Sequence, residues 1–176
     1  MQYKKLGNTD ITVSKICVGG MSFGKASEKF HQWTLDQNAT QKMLAHAYEL
    51  GVNFIDTANC YSFGTSEEYI GQSLKNLGIP RNKIALASKV YFNDGKLGRD
   101  AISREIDGTL KRLQTDYLDL YQIHRFDYST PIEETMEALH RLVQSGKVRA
   151  IGASAMTALG VGVLTLRFFC LIHTAL

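Results

Sequence analysis

Residues 53–61 read NFIDTANCY, residues 85–89 read ALASK and residues 119–124 read DLYQIH. Each is a short apolar run of strand length bounded by polar residues. Each also delivers a chemically distinctive side chain at or just past its end: Asp56 and then Tyr61, Lys89, and His124. An Asp and a Lys that can pair, a phenol with a proton to give, and an imidazole that can hydrogen-bond a carbonyl make a proton-donating set. Polar residues at the same end of successive parallel strands converge in space, which is how a parallel barrel builds a reactive centre. What lies between these runs decides whether the strands are parallel.

Helical patterns lie between them. Residues 39–50 place Met43, Leu44, Ala47 and Leu50 at helical spacing, with Asn38 as candidate N-cap and Gly51 just past the end. Residues 65–77 repeat the scheme, with Thr65 or Ser66 as cap, Ile70, Leu74 and Leu77 as stripe and Gly78 as terminator. A third helix runs from about Arg99 to Leu113 on Ile102, Ile106, Leu110 and Leu113. A fourth starts near Pro131, where proline is tolerated, and runs on Ile132, Met136, Leu139 and Val143 to Ser145-Gly146-Lys147. ICVGG (residues 16–20) reads as the first strand of the series and VRAIGAS (148–154) as the last. Upstream, YKKL and ITVS flank Gly7-Asn8-Thr9-Asp10 and predict a hairpin. The strands recur roughly every 30–37 residues, the length of a βα unit. Apolar strands alternating with helices predict a parallel sheet covered on both faces. Two features favour a (β/α)₈ barrel over a doubly wound sheet. No G-x-G-x-x-G follows the first strand, and several strands end in chemically distinctive residues.

The chain resembles the aldo-keto reductase family in five segments: YKKLGNTDITVSKICVGGMSFG (3–24), GVNFIDTANCYSFGTSEEYIGQSL (51–74), ALASK, TLKRLQTDYLDLYQIHRFD (109–127) and GKVRAIGAS (146–154). Together they span nearly everything from Tyr3 to about Met156. The resemblance implies a (β/α)₈ TIM barrel with an N-terminal β-hairpin closing its bottom. It implies reversible hydride transfer from a nicotinamide cofactor, usually NADPH with NADH as the alternative, to a small-molecule aldehyde or ketone. It places Asp56, Tyr61, Lys89 and His124 in the catalytic centre. Gly20 and Met21 then lie at the cofactor's edge, Asp56 beside it, and Ser154 on the nicotinamide carboxamide. Ala155 departs from the commoner Ser-Asn pair at that point.

Elementary chemistry fits these roles. Hydride addition to a carbonyl leaves an alkoxide that needs a proton, and Tyr61 is the expected general acid. A free phenol titrates near pH 10, so it donates well only when a cation such as Lys89 stabilises the anion left behind. Asp56 keeps Lys89 charged and oriented. His124 holds the carbonyl. Each residue alone has a plainer reading: a turn-capping Asp, a solvated Lys, a buried His, a loop-anchoring Tyr. Four of them in matching contexts outweigh it. Two other functions use the same residues: a Schiff-base lyase with Lys89 as nucleophile, and a non-catalytic cofactor-binding module of the same fold. Arg125 and Asp127 are expected to pair, and Cys60 beside Tyr61 is expected to be unreactive.

Composition narrows the setting. Across 176 residues the formal charge is +3, with 44% hydrophobic and 21% charged residues and the two signs interspersed. No basic block argues for nucleic acid or lipid partners. Cys17, Cys60 and Cys170 have no metal-ligand spacing, so no metal site is expected, and they suit a reducing, cytoplasmic setting. The recognisable barrel occupies residues 1–156, about five βα units, whereas a closed barrel takes about 250 residues. Residues 157–176 form an almost uncharged tail whose length approaches the ~20 residues of a membrane span. Arg167 in its centre, where a charge costs about 2.5–3.5 kcal/mol, argues against one. The expectation is a C-terminally truncated or altered barrel, a poor enzyme by itself, prone to self-association through its open edges.

Overall fold

A computed structural model describes residues 1–157 of the chain. The tail, apart from Thr157, lies outside the described residues, and with it Arg167, Cys170 and the expectations placed on them. An antiparallel hairpin, β1 (Tyr3–Lys5) with β2 (Thr12–Ser14), pairs Lys4 with Val13 across a turn in which Gly7 takes φ +57°. Then follow β3 (Cys17–Gly19), α1 (Gln37–Glu49), β4 (Phe54–Asp56), α2 (Thr65–Asn76), β5 (Ala85–Val90), α3 (Arg99–Leu113), β6 (Leu118–Ile123), α4 (Ile132–Gln144) and β7 (Val148–Ala153).

The five later strands form one parallel sheet in the order β3-β4-β5-β6-β7. Spatial order equals chain order, so the winding never reverses. A doubly wound sheet reverses at its switch point. This is the wall of a partial TIM barrel.

Strand alternation divides the wall into two faces. Ile55, Leu86, Val90, Tyr121 and Ile123 point outward into a core shared with Ile70, Leu74, Ile102, Ile106 and Leu139 of the helices. Phe54, Ala85 and Ala150 point inward, where Ile11 and Val13 of the hairpin cover them. The hairpin therefore plugs the N-terminal end of the wall. Asp56, Lys89 and Gln122 occupy the inward face further along, toward the C-terminal mouth.

Four local expectations need correction. Helix α1 is capped by Asp36, which sits in extended conformation and accepts from the Ala39 N–H at 2.8 Å, whereas Asn38 already lies inside the first turn. Its buried residues are Thr40 and Leu44, while Met43 and Leu50 are exposed, because α1 packs through a narrow stripe rather than a broad apolar face. Neither Thr65 nor Ser66 caps α2. A 3₁₀ turn, Tyr61–Gly64, runs directly into that helix, and Gly64 at φ +90° takes the cap position. Ser66 instead donates to the Gly20 carbonyl at 2.7 Å and Thr65 to the Ser62 carbonyl at 2.8 Å. Finally, Asp127 does not pair with Arg125. It accepts from Ser129 and Thr130 hydroxyls at 2.6 and 2.7 Å, with Lys96 at 3.9 Å, while Arg125 lies 6.0 Å over the Phe92 ring. Ser129 and Thr130, two and three residues on, reach that carboxylate within their own turn.

Candidate active site

Parallel register brings the mouth residues together. Asp56 ends β4, Lys89 is the penultimate residue of β5 and stands opposite Gln122 of β6, and His124 follows β6 directly. The His124 N–H donates to the Val90 carbonyl at 3.0 Å, extending the β5–β6 ladder by one step and holding the imidazole beside Lys89. Tyr61 rides on the β4–α2 loop. Ser62 and Phe63 after it adopt left-handed φ of 47° and 56°, an uncommon conformation for non-glycine residues. It turns the chain sharply into α2, and the Ser62 hydroxyl steadies the turn by donating to the Phe23 carbonyl at 3.3 Å.

Lys89 is 6% exposed and spends its ammonium protons on three partners: the Asp56 carboxylate, the Thr57 carbonyl at 3.0 Å and the Tyr61 hydroxyl at 3.4 Å. A cation this deeply buried must be paired. Asp56 is held from its other side by Gln122 Nε2, donating to Oδ1 at 2.8 Å. The Tyr61 ring meets His124 edge-on at a 5.7 Å centroid distance, and Phe92 packs on the other side of that imidazole at 5.1 Å. Burial pulls the His124 pKa down to about 4, the Lys89 and Arg125 cations push the same way, and Asp56 opposes them only weakly. The imidazole is therefore neutral at pH 7. Cys60 Sγ lies 3.9 Å from its Nδ1.

A cleft of about 600 Å³ opens over this group, walled by Met21, Phe30, Tyr61, Phe63, Phe92 and His124. Apolar walls with a few convergent polar groups are the usual make-up of a small-molecule site.

Asp56, Tyr61, Lys89 and His124 thus meet at one mouth, and Met21 reaches the same cleft. Gly20 is buried under it. A Cβ there would stand 3.0 Å from Thr57 and Ile70, so the glycine allows the β3 turn to pack against α2. Ser154 follows β7, its N–H on the Ile123 carbonyl at 2.8 Å, and Ala155 after it is left-handed at φ 48°. Sequence reading overlooked Gln122, although it lies two residues before His124 on the face that Lys89 occupies. It also overlooked the Thr57 carbonyl and the walls formed by Phe30 and Phe92, which adjacency in sequence does not reveal. Among the described residues, no cluster of His, Cys, Asp and Glu is able to hold a metal ion.

Comparison with known proteins is consistent throughout. The profile of the aldo/keto reductase family matches residues 15–163, running past Met156. The chain is 41% identical over 185 residues to the aldo-keto reductase AFTS1 of Alternaria alternata, covering 89% of this chain and 50% of that protein. It is 39% identical over 181 residues to a versiconal hemiacetal acetate reductase of Aspergillus parasiticus, covering 90% and 52%. Among solved structures, the holo form of an aldo-keto reductase from Bacillus halodurans superposes with a TM-score of 0.81 at 33% identity, over 95% of this chain and 54% of that one. A thermostable aldo-keto reductase in complex with the inhibitor epalrestat gives 0.83 at 32%, over 95% and 58%. The chain therefore spans about half the length of the curated relatives it matches. With the family profile running along most of its length and its strands superposing on solved members, this chain belongs to the aldo/keto reductase family.

Proposed function

We propose that this chain carries the proton-transfer centre of an oxidoreductase that reduces an aldehyde or ketone to an alcohol with NADPH, or with NADH as the alternative. The observation that carries this reading is Lys89, whose one ammonium joins the Asp56 carboxylate and the Tyr61 hydroxyl. As a proton leaves Tyr61 for a developing alkoxide, the ammonium beside it stabilises the phenolate, and Asp56 with Gln122 keeps the ammonium in place. His124, being neutral, donates one N–H to the carbonyl oxygen and sets its angle. The aromatic side chains of Phe30, Phe63 and Phe92 give the substrate an apolar surface beside the transfer.

A nicotinamide cofactor fits the mouth beside this group. Gly19 stands on the inward face opposite Asp56, and a Cβ added there would meet nothing within 4 Å, so a flat ring has room next to Tyr61. Met21 and Asp56 would border that ring, Gly20 would let the turn approach it, and Ser154 would reach its carboxamide. The cofactor, when bound, supplies the hydride. A Schiff-base lyase needs a free amine at Lys89, but all three N–H directions of that group are taken. A purely cofactor-binding role would keep the nucleotide fit without the Lys89–Tyr61 coupling.

Among the described residues, β3 and β7 each have one sheet neighbour, leaving unpaired strand edges. A polypeptide consisting of these 176 residues alone is expected to turn over poorly and to self-associate through those edges. Cysteine usage argues for a cytoplasmic location, and among the described residues no helix is long and apolar enough to cross a membrane.

The test is Tyr61→Phe in a chain joined to the C-terminal half of a family member. Aldehyde-dependent NADPH consumption should fall by about 10²–10⁴-fold, the usual contribution of general acid catalysis. NADPH affinity, followed by fluorescence titration, should stay unchanged. Unaltered turnover would remove Tyr61 from the mechanism.

A further inference from the structure

This inference rests on the reading of His124 as the carbonyl's hydrogen-bond donor. A neutral imidazole has one N–H and one bare nitrogen, and the partner of one nitrogen decides the state of the other. Among the described residues the His124 ring has one hydrogen-bond partner, Cys60, whose Sγ stands 3.9 Å from Nδ1. The Tyr61 and Phe92 rings pack against it edge-on and their carbon edges offer no hydrogen-bond acceptor. Cys60 directly precedes Tyr61, and the loop holds it in place: the Phe63 N–H donates to its carbonyl at 3.1 Å.

We propose that Cys60 is a positioning residue: its S–H donates to Nδ1 of His124 and so fixes the tautomer that carries the proton on Nε2, the nitrogen left to hold a substrate carbonyl.

The protonation states of both partners support this assignment. Burial pushes the Cys60 thiol up to about 11, against its own backbone hydrogen bond and the Lys89 cation, with Glu67 adding to the rise. The imidazole sits at about 4 under burial, Lys89 and Arg125, with Asp56 opposing. Between those limits the pair is a thiol and a neutral ring, so the thiol has a proton to give and Nδ1 has a lone pair to take it. A thiolate–imidazolium pair, which would make Cys60 a nucleophile, is disfavoured from both sides. The thiol is a weak donor, and the contact is long. It acts by biasing a tautomer rather than by anchoring the fold.

The experiment is long-range ¹H–¹⁵N correlation of the histidine rings in the 176-residue chain, without cofactor, with His124→Gln to assign the signal. In the wild type, His124 should show the Nε2–H pattern, unchanged between about pH 6 and 9, well inside the two limits. Cys60→Ala should move both nitrogens toward a tautomer mixture. Cys60→Ser, which keeps a donor, should restore the wild-type pattern. In a form that turns over, Cys60→Ala should lower kcat about two- to tenfold, the span of one net hydrogen bond, leave the KM for cofactor unchanged, and be rescued by Cys60→Ser. A wild-type Nδ1–H pattern, or a Cys60→Ala spectrum identical to wild type at His124, overturns the proposal. Loss of carbonyl reduction as an activity, with the tautomer as expected, would count against the functional reading alone.

Discussion

Replacing Lys89 by Met tests the centre of the site and the stability of the mouth together. The Lys89 side chain is 7% exposed and Asp56 26% exposed. Truncation to Met keeps the apolar stem but deletes the ammonium, so three groups lose their donor. The Thr57 carbonyl, on a residue 1% exposed, forfeits a charge-assisted bond worth about 1.5–3 kcal/mol. Asp56 is left as an unbalanced carboxylate. Removing one partner of a fully buried pair costs about 3–5 kcal/mol, but Asp56 retains Gln122 at 2.8 Å and partial access to water, so only a fraction of that applies. The two contributions overlap, and the expected loss is about 2–4 kcal/mol. The assay is urea unfolding followed by circular dichroism, repeated with Asp56→Asn and the double variant. Asp56→Asn in the Lys89→Met background removes the stranded charge, so the double variant should recover part of the loss, with a coupling of about 1–3 kcal/mol. A loss under about 0.5 kcal/mol, or no coupling to Asp56, would refute the ion pair as the organising contact.

Gly71→Ala sets helix propensity, which favours Ala by about 1 kcal/mol, against a Cβ placed 2.6 Å from the Leu113 backbone. The α2–α3 contact is expected to win, with a net loss of about 1–3 kcal/mol by chemical denaturation. Glu67 is fully buried, bonded to the Ser88 hydroxyl at 2.5 Å and to Arg112 Nε at 2.6 Å. Glu67→Gln strands the guanidinium and should cost about 2–4 kcal/mol, with Glu67→Gln/Arg112→Met recovering much of it. Acid should destabilise the fold in two steps. Between pH 6.5 and about 4 the unfolded chain takes up a proton on His124 that the folded chain refuses, so stability falls with pH, and His124→Gln should flatten that stretch. Asp127 follows. Burial raises its pKa, but hydrogen bonds from Ser129, Thr130 and Leu97 outweigh burial and bring it to about 2. The stability it confers is whole above the ordinary 3.8 and disappears as pH drops through about 2.

Sequence reading reached far here because the βα unit is written in local signals. The apolar runs of β5 and β6, the stripe Ile102–Ile106 in α3, and the glycines at 51, 78 and 146 (φ +85°, +60° and +74°) each obey short-range rules. The strand ends then gathered Asp56, Lys89 and His124 at one end of the sheet. Local rules failed where a side chain had a partner that residue type and spacing do not reveal. Ser66 has the composition of a helix cap but bonds Gly20, which is distant in sequence, and Asp127 found hydroxyls in its own turn instead of the neighbouring Arg125.

The order of elements, the parallel pairing and the end of the sheet where Asp56, Lys89 and His124 gather follow from the amino-acid sequence, because periodicity and punctuation act over a few residues. Only the tertiary structure decided that Gln122 braces Asp56, that Thr57 offers its carbonyl to Lys89, and that Cys60 meets His124 across 64 residues of chain. Those contacts depend on strand register and on the left-handed turn at Ser62 and Phe63. Register is set by the packing of the whole sheet against its helices, and no single segment of sequence carries that information.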